Sequence, residues 1–362
     1  MSIVNEVSHS IRRKSFLIAA AILLLSSCGK DAPSLEKYEP EDGQCLVFIG
    51  QDMEAVGGVE GFVGYADTFG APYGFTTYTA IRPGDVDFGY TYQGIDGLFF
   101  ESDWGAGVSY ADRQLESPVL AACSVAIGLE WINHEEELAS GKYDEMLFRL
   151  ADWFKSHHDT KFFLRPGYEF DGHDWNHYQP EPYVRAFRRV RDVLDSRGVD
   201  NVAYVWQSCG TVYDVDDIMS FYPGDDYVDW FGYSQFRSGR SQIMIDLARE
   251  HGKPVFIAEA TPMFGTSDGP AEKVDLKDND DAEKAWDIWF KELFAAIEEN
   301  PDVVKAVSYI NCDWPSQEMW KNPDDIFCMI DSRLQTSPVI APRWRSKMSD
   351  HRYVSVPEQV GK

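Results

Sequence analysis

The chain has 362 residues, 44% hydrophobic and 26% charged, with 60 acidic against 33 basic side chains and a formal net charge of -27. That balance excludes nucleic acid, or any polyanion, bound across the general surface, while leaving room for a local basic pocket. Besides Cys28 there are Cys45, Cys123, Cys209, Cys312 and Cys328, an odd set without metal-site or disulfide-scaffold spacing, although Cys312 and Cys328 are near enough in sequence to bridge a short loop.

Residues 1–27 carry a basic start (Arg12, Arg13, Lys14) and an apolar run from Phe16 to Leu25, too short to span a bilayer permanently and of the form of a secretory signal. Phe16 sits one place too late for a twin-arginine motif. The run ends in Leu25-Ser26-Ser27-Cys28, which resembles the lipobox of bacterial lipoproteins and implies cleavage before Cys28 and acylation of that cysteine. Residues 28–42 are polar and rich in Lys, Glu, Asp and Pro, a composition expected of a flexible tether. Roughly 300 residues remain without a second linker, consistent with one large domain over 43–350 and a short tail over 351–362.

Within that domain the pattern predicts strands at Cys45–Gly50, Phe75–Ile81, Ser124–Glu130, Lys161–Pro166, Asn201–Gln207, Val228–Tyr233, Pro254–Glu259 and Val303–Ile310. Most are near-continuous apolar runs, as expected of parallel strands covered on both faces. Amphipathic helices are predicted between them, among others at Tyr143–His157, at Pro182–Arg197 with a stop at Gly198, and at Ala282–Glu299. Eight such alternations in one domain predict a single (β/α)8 barrel, in which functional residues come from the C-terminal strand ends. The long segment Arg82–Leu120, with Tyr90, Tyr92, Trp104 and Tyr110, is expected to build one side of a cleft, faced by Glu130 at the end of the third strand.

Two strands end on a glutamate: Phe162 to Pro166 leads into Gly167-Tyr168-Glu169, and Pro254 to Ala258 ends on Glu259. A carboxylate at the mouth of a buried strand is costly unless it does chemistry. A pair of them is the minimal equipment for cleaving a glycosidic bond, and the 11 Trp, 18 Tyr and 22 Phe would suit a groove that stacks sugar rings as well as a core.

The surrounding residues resemble glycoside hydrolase family 26, within the clan of retaining barrel glycosidases. The matching positions are Arg165, Pro166, Glu169, Gly172 and Trp175 around the fourth strand, Val205-Trp206 on the fifth, Tyr222 to Trp230 and Tyr233 around the sixth, Glu259 on the seventh, and Trp314 after the eighth. The likeness is good from Lys161 to Glu259, looser to Trp314 and weak before Tyr143. It implies Glu169 as acid/base and Glu259 as nucleophile, roughly 5 to 5.5 Å apart if configuration is retained. It also implies Tyr233 and Arg165 as partners of Glu259, Trp314 as the floor beneath the sugar, and Trp175 and Trp206 as substrate contacts, to which the long segment before the third strand and the end of that strand add Trp104 and Glu130. Members active on β-1,4-mannan usually carry His just before the acid/base, where this chain has Tyr168.

These features lead to an expected lipid-anchored, retaining endo-β-glycanase that needs no cofactor or metal. It would be a monomer on the bacterial outer membrane facing outward, with a polysaccharide as partner and β-mannan favoured over β-1,3- or β-1,4-xylan. Arg82, Arg113, Arg237 and Arg240 motivate an anionic algal polysaccharide as an alternative. A non-catalytic surface glycan-binding lipoprotein is the alternative of another class. His173 and His177, with Asp171 and Asp174, have some metal-like character but fit hydrogen bonding to sugar hydroxyls better. The acidic run Asp275–Asp281 lacks the glycine of a calcium loop and is read as the start of a helix.

Overall fold

The computed structural model describes residues 35–265, 272–325 and 327–355. Cys28 and the leader therefore lie outside the described residues. Eight parallel strands form the barrel: β1 (Cys45–Gly50), β2 (Gly74–Ala80), β3 (Ser124–Glu130), β4 (Phe162–Pro166), β5 (Val202–Ser208), β6 (Trp230–Gln235), β7 (Val255–Ala260) and β8 (Val304–Ile310). Pairing of Leu46 with Ala306 through Gly50 with Ile310 joins β1 to β8 and closes the ring. The (β/α)8 architecture expected from the alternation is thus the fold. Boundaries differ by one or two residues, most at β6, which starts later than expected and carries Ser234 and Gln235 inside the strand.

The helices follow from their apolar stripes. α1 (Asp144–Ser156) buries Leu147, Leu150, Trp153 and Phe154, and α2 (Pro180–Ser196) buries Tyr183, Phe187, Val190 and Leu194. Pro180 begins α2 where its missing N–H costs nothing, and Gly198, at φ 75, supplies the left-handed residue just beyond the last turn. α3 (Gln242–His251) packs by Met244, Ile245 and Ala248. The next helix runs Asn279–Ala285, continues through a π-helical turn at Trp286–Phe290, and ends at Lys291–Glu298. Asp278 caps it, accepting from the N–H groups of Asp280 and Asp281, which explains the acidic run.

Strand alternation sorts the core into two layers. Val202, Tyr204 and Trp206 of β5 face the helices, whereas Ala203, Val205 and Gln207 face inward. The lower interior is a plug of aromatic rings: Phe48 lies 5.3 Å from Phe163 and 4.9 Å from Phe256, and Phe163 lies 5.3 Å from Trp230. Along the strands toward their C-terminal ends, Thr76 Oγ1 and Ser308 Oγ, on the two strands flanking β1, meet at 2.7 Å over Gly50. Beyond them the interior becomes polar, with Arg165, Gln207 and Ser234.

Two boundaries expected from composition are corrected. Residues 36–42 are docked rather than free: the Lys37 carbonyl accepts from Trp230 Nε1 (2.8 Å), Lys253 pairs with Glu36 (2.9 Å), and the Tyr38 ring lies 5.7 Å from Phe163 at the barrel's N-terminal mouth. Tyr353–Val354 adds a short strand beside Cys45 and Leu46, so the domain extends past residue 350. Cys45, Cys123, Cys209, Cys312 and Cys328 are all free thiols.

Candidate active site

The C-terminal mouth gathers polar groups from four adjacent strands. Arg165, fully buried, donates from one guanidinium nitrogen to Glu259 Oε1 (2.6 Å) and to Gln207 Oε1 (2.8 Å). Gln207 Nε2 donates to Ser234 Oγ (3.0 Å) and to Glu259 Oε1 (3.3 Å). Ser234 Oγ donates to Glu169 Oε1 at 2.6 Å, and Trp175 Nε1 donates to Glu169 Oε2 at 3.1 Å. One hydrogen-bonded chain therefore links the two glutamates.

Glu259 reaches this network because β7 carries an extra residue. Tyr233 pairs with Ile257 but Ser234 with Glu259, and on the other side Val307 pairs with Ile257 but Tyr309 with Ala260. Phe256 and Ala258 face inward while Ile257 and Ala260 face the helices. Strict alternation after Ala258 would send Glu259 outward, and the bulge turns it into the mouth.

Glu169 lies beyond β4 on a strained turn. Gly167 and Glu169 both have positive φ, 56° and 55°. A Cβ at Gly167 would lie 2.5 Å from Tyr183 and 2.7 Å from Trp131. Asn176 holds the turn, its Nδ2 donating to the carbonyls of Tyr168 (3.0 Å) and Glu169 (2.8 Å). A Cβ at Gly172 would come within 2.4 Å of the Trp175 ring, so glycine there lets Trp175 fold back onto Glu169. Burial first, and then the negative charge of Glu259, push the Glu169 carboxyl well above the usual carboxylate range, against the opposing hydrogen bonds of Ser234 and Trp175. Such a group can hold a proton at neutral pH.

Tyr78 and Tyr168 flank the Arg165 guanidinium, their ring centroids 5.1 and 5.2 Å away. Gly128 makes this possible: a Cβ there would lie 2.6 Å from the Tyr78 ring and 3.0 Å from Arg165.

The remaining expected contacts are placed differently. Tyr233 faces the helix layer, and its hydroxyl lies 3.5 Å from Gln235 Oε1, so the expected hydrogen bond to Glu259 is not made. Trp206 is buried among helices, stacked on Phe170 at 4.4 Å, and so is core rather than a sugar contact. Trp314 follows β8 but is 2% exposed, stacked on Phe327 at 4.2 Å, so it offers no open floor in this structure. Trp104 packs with Tyr90 and Tyr92 inside the β2–β3 segment. Trp175, 47% exposed, is the expected aromatic that does present an open surface beside a carboxylate. Asp171 is tied to Ser208 Oγ (2.6 Å) and the Cys209 N–H (2.6 Å), which anchors the β4 loop to the end of β5.

Glu130 pairs with Arg82 at 3.0 Å, and Arg82 also meets Asp85 and Asp87. Arg240 pairs with Glu299 (2.6 Å), and Arg113 donates to the Glu60 carbonyl and pairs with Glu101. Three of the four arginines that suggested an anionic substrate are thus neutralised or engaged within the protein. His173 contacts Asp217 at 2.9 Å, and the described residues contain no cluster of three or more potential metal-ligating side chains. Gln207, Ser234, Tyr78 and Asn176 were not anticipated. The period of two along β5 and β6 is the one signal that places Gln207 and Ser234 inward.

The model of Glycosyl hydrolase family 26 matches residues 127–294. Beta-1,3-xylanase TXYA from a Vibrio species is 30% identical over 357 residues, covering 92% of this chain and 71% of that protein. The chain belongs to glycoside hydrolase family 26. A beta-1,3-xylanase from an Alcaligenes species is 29% identical over 352 residues, covering 92% of this chain and 70% of that protein. Among solved structures, a family 26 beta-mannanase from Bacteroides ovatus superimposes with a TM-score of 0.57 at 16% identity, covering 87% of this chain and 91% of that one. An endo-beta-1,4-mannanase from Cellulomonas fimi gives 0.55 at 17% identity, covering 87% and 72%. These likenesses concern the fold alone. As a family 26 member, the protein is a retaining glycoside hydrolase whose substrate is a polysaccharide.

Proposed function

We propose that this family 26 hydrolase is an endo-acting β-1,3-xylanase, with Glu169 as acid/base and Glu259 as nucleophile. The observation that carries the sugar is the similarity to two beta-1,3-xylanases over 92% of the chain. Tyr168 supports it, standing against Arg165 where mannan-active members usually have His. This reverses the order of β-mannan and β-xylan drawn from the motifs alone; β-mannan remains the second reading on the strength of those motifs.

Cleavage of the acetal passes through an oxocarbenium-like transition state. Glu169, protonated because it is buried beside a negative partner, would protonate the leaving oxygen. Glu259, held by Arg165 and Gln207, would attack the anomeric carbon, displacing the leaving group and forming a glycosyl-enzyme. Glu169, now ionised, would take a proton from water as that water releases the sugar with retained configuration. Trp175 would stack against the sugar on the acid/base side. Acylation of Cys28 would anchor a monomer to the envelope, outward-facing on the outer membrane.

The test is product chromatography after incubation with β-1,3-xylan, β-1,4-xylan, mannan, glucomannan, mixed-linkage glucan and a sulfated galactan. Oligosaccharides from β-1,3-xylan are expected, and none with Glu259→Ala. Oligosaccharides from mannan alone would transfer the assignment to β-mannan, and binding to a polymer without cleavage would support the glycan-binding alternative.

A further inference from the structure

We propose that Gln207 and Ser234 are positioning residues that decide which oxygen of Glu169 carries its proton: Oε1 is held as an acceptor, and the proton sits on Oε2, on the Trp175 side. This rests on the reading of Glu169 as acid/base. Arg165 has only donors, so the Gln207 atom it meets at 2.8 Å is the amide oxygen. That fixes the amide orientation, and Gln207 Nε2 must be the group directed at Ser234 Oγ and Glu259. Ser234 Oγ therefore accepts from Gln207, and its own hydrogen is directed along the 2.6 Å contact to Glu169 Oε1.

Reversing that last bond would leave the Ser234 hydrogen without another acceptor among the described residues, in a buried site where an orphaned donor is costly. The contact to Oε2 is easier to give up. It is longer, 3.1 Å, and comes from a half-exposed tryptophan. When Glu169 is neutral, Trp175 Nε1 yields and the Oε2–H is free to meet a leaving-group oxygen on the accessible side. When Glu169 ionises, both donors engage, which favours the carboxylate produced as the leaving group departs. The register of β6, which pairs Ser234 with Glu259, places this hydroxyl between the two carboxylates.

The charged and titratable groups around the Glu169–Glu259 pair are Arg165 on β4, Asp171 on the Glu169 loop, Tyr78 on β2, Tyr168 beside Glu169 and Cys209 after β5. All are unchanged in a Ser234 variant. Removing a donor to the ionised form raises the carboxyl pKa, so Ser234→Ala should move the alkaline limb of kcat/KM upward by roughly one to two pH units. Ser234→Thr, which keeps the hydroxyl, should restore it. A variant that merely loosened the fold would lose activity without moving the limb.

The control is Glu169→Ala assayed on an aryl β-xylobioside with a good leaving group. If that variant keeps the wild-type limb, the acid/base assignment fails. If it loses the limb while an active Ser234→Ala leaves it in place, only the present inference fails. Should Ser234→Ala not fold, the infrared difference spectrum of wild type minus Glu169→Gln below the limb decides. A carboxylic C=O stretch at hydrogen-bonded frequency is expected, and a free-carbonyl frequency overturns the proposal.

Discussion

Replacing Arg165 by methionine isolates the cost of the buried charge at the mouth. The guanidinium is fully buried and donates to Glu259 at 2.6 Å and to Gln207 at 2.8 Å, while Tyr78 and Tyr168 cover it. Methionine fills much of the volume but strands the Glu259 carboxylate without its cation and leaves Gln207 Oε1 without a donor. Breaking a buried pair in this way costs about 3–5 kcal/mol. For a domain of this size that is a fall in Tm of roughly 5–15 °C. Melting curves of both proteins at neutral pH measure this fall. A fall below about 2 °C would contradict the cost assigned to the buried pair. Turnover should drop by about 10²–10³ where the variant is folded, since a preorganised donor to the reacting carboxylate is gone.

Other consequences are equally direct. Gly128→Ala places a Cβ 2.6 Å from Tyr78 and should cost about 1–3 kcal/mol by overpacking, with a loss of kcat beyond what the melting temperature explains. Tyr38→Ala should lower stability by about 1–2 kcal/mol in denaturant titration and leave kcat/KM unchanged, because Tyr38 packs at the end of the barrel away from the carboxylates. The raised carboxyl of Glu169 should set the alkaline limb of kcat/KM above the usual carboxylate range; a limb between pH 4 and 5 would contradict it.

The barrel was legible because parallel strands covered on both faces become apolar runs, and because α1 and α2 repeat their buried residues at helical spacing. The position of both glutamates at strand ends was legible for the same reason. Facing was harder. Trp206 and Tyr233 lie one residue from the inward positions held by Gln207 and Ser234, and a one-residue shift moves a side chain to the opposite side of the sheet. The β7 bulge that turns Glu259 inward has no distinct residue pattern. Short polar side chains such as Ser234 are common in loops and become informative only when their partners are known. Residues 36–38 look like tether because their composition is polar, yet a backbone carbonyl, an ion pair and a single ring dock them.

Catalysis by this mouth stands on the separate roles of Glu169 and Glu259. The most direct measurement is trapping with a 2-deoxy-2-fluoro-β-1,3-xylobiosyl fluoride, followed by peptide mapping. Time-dependent inactivation is expected, with a single label on the peptide ending β7, at Glu259, and trapping that persists in Glu169→Ala because fluoride needs no protonation to leave. A label on Glu169, on Asp171 or on any residue outside the mouth would contradict it.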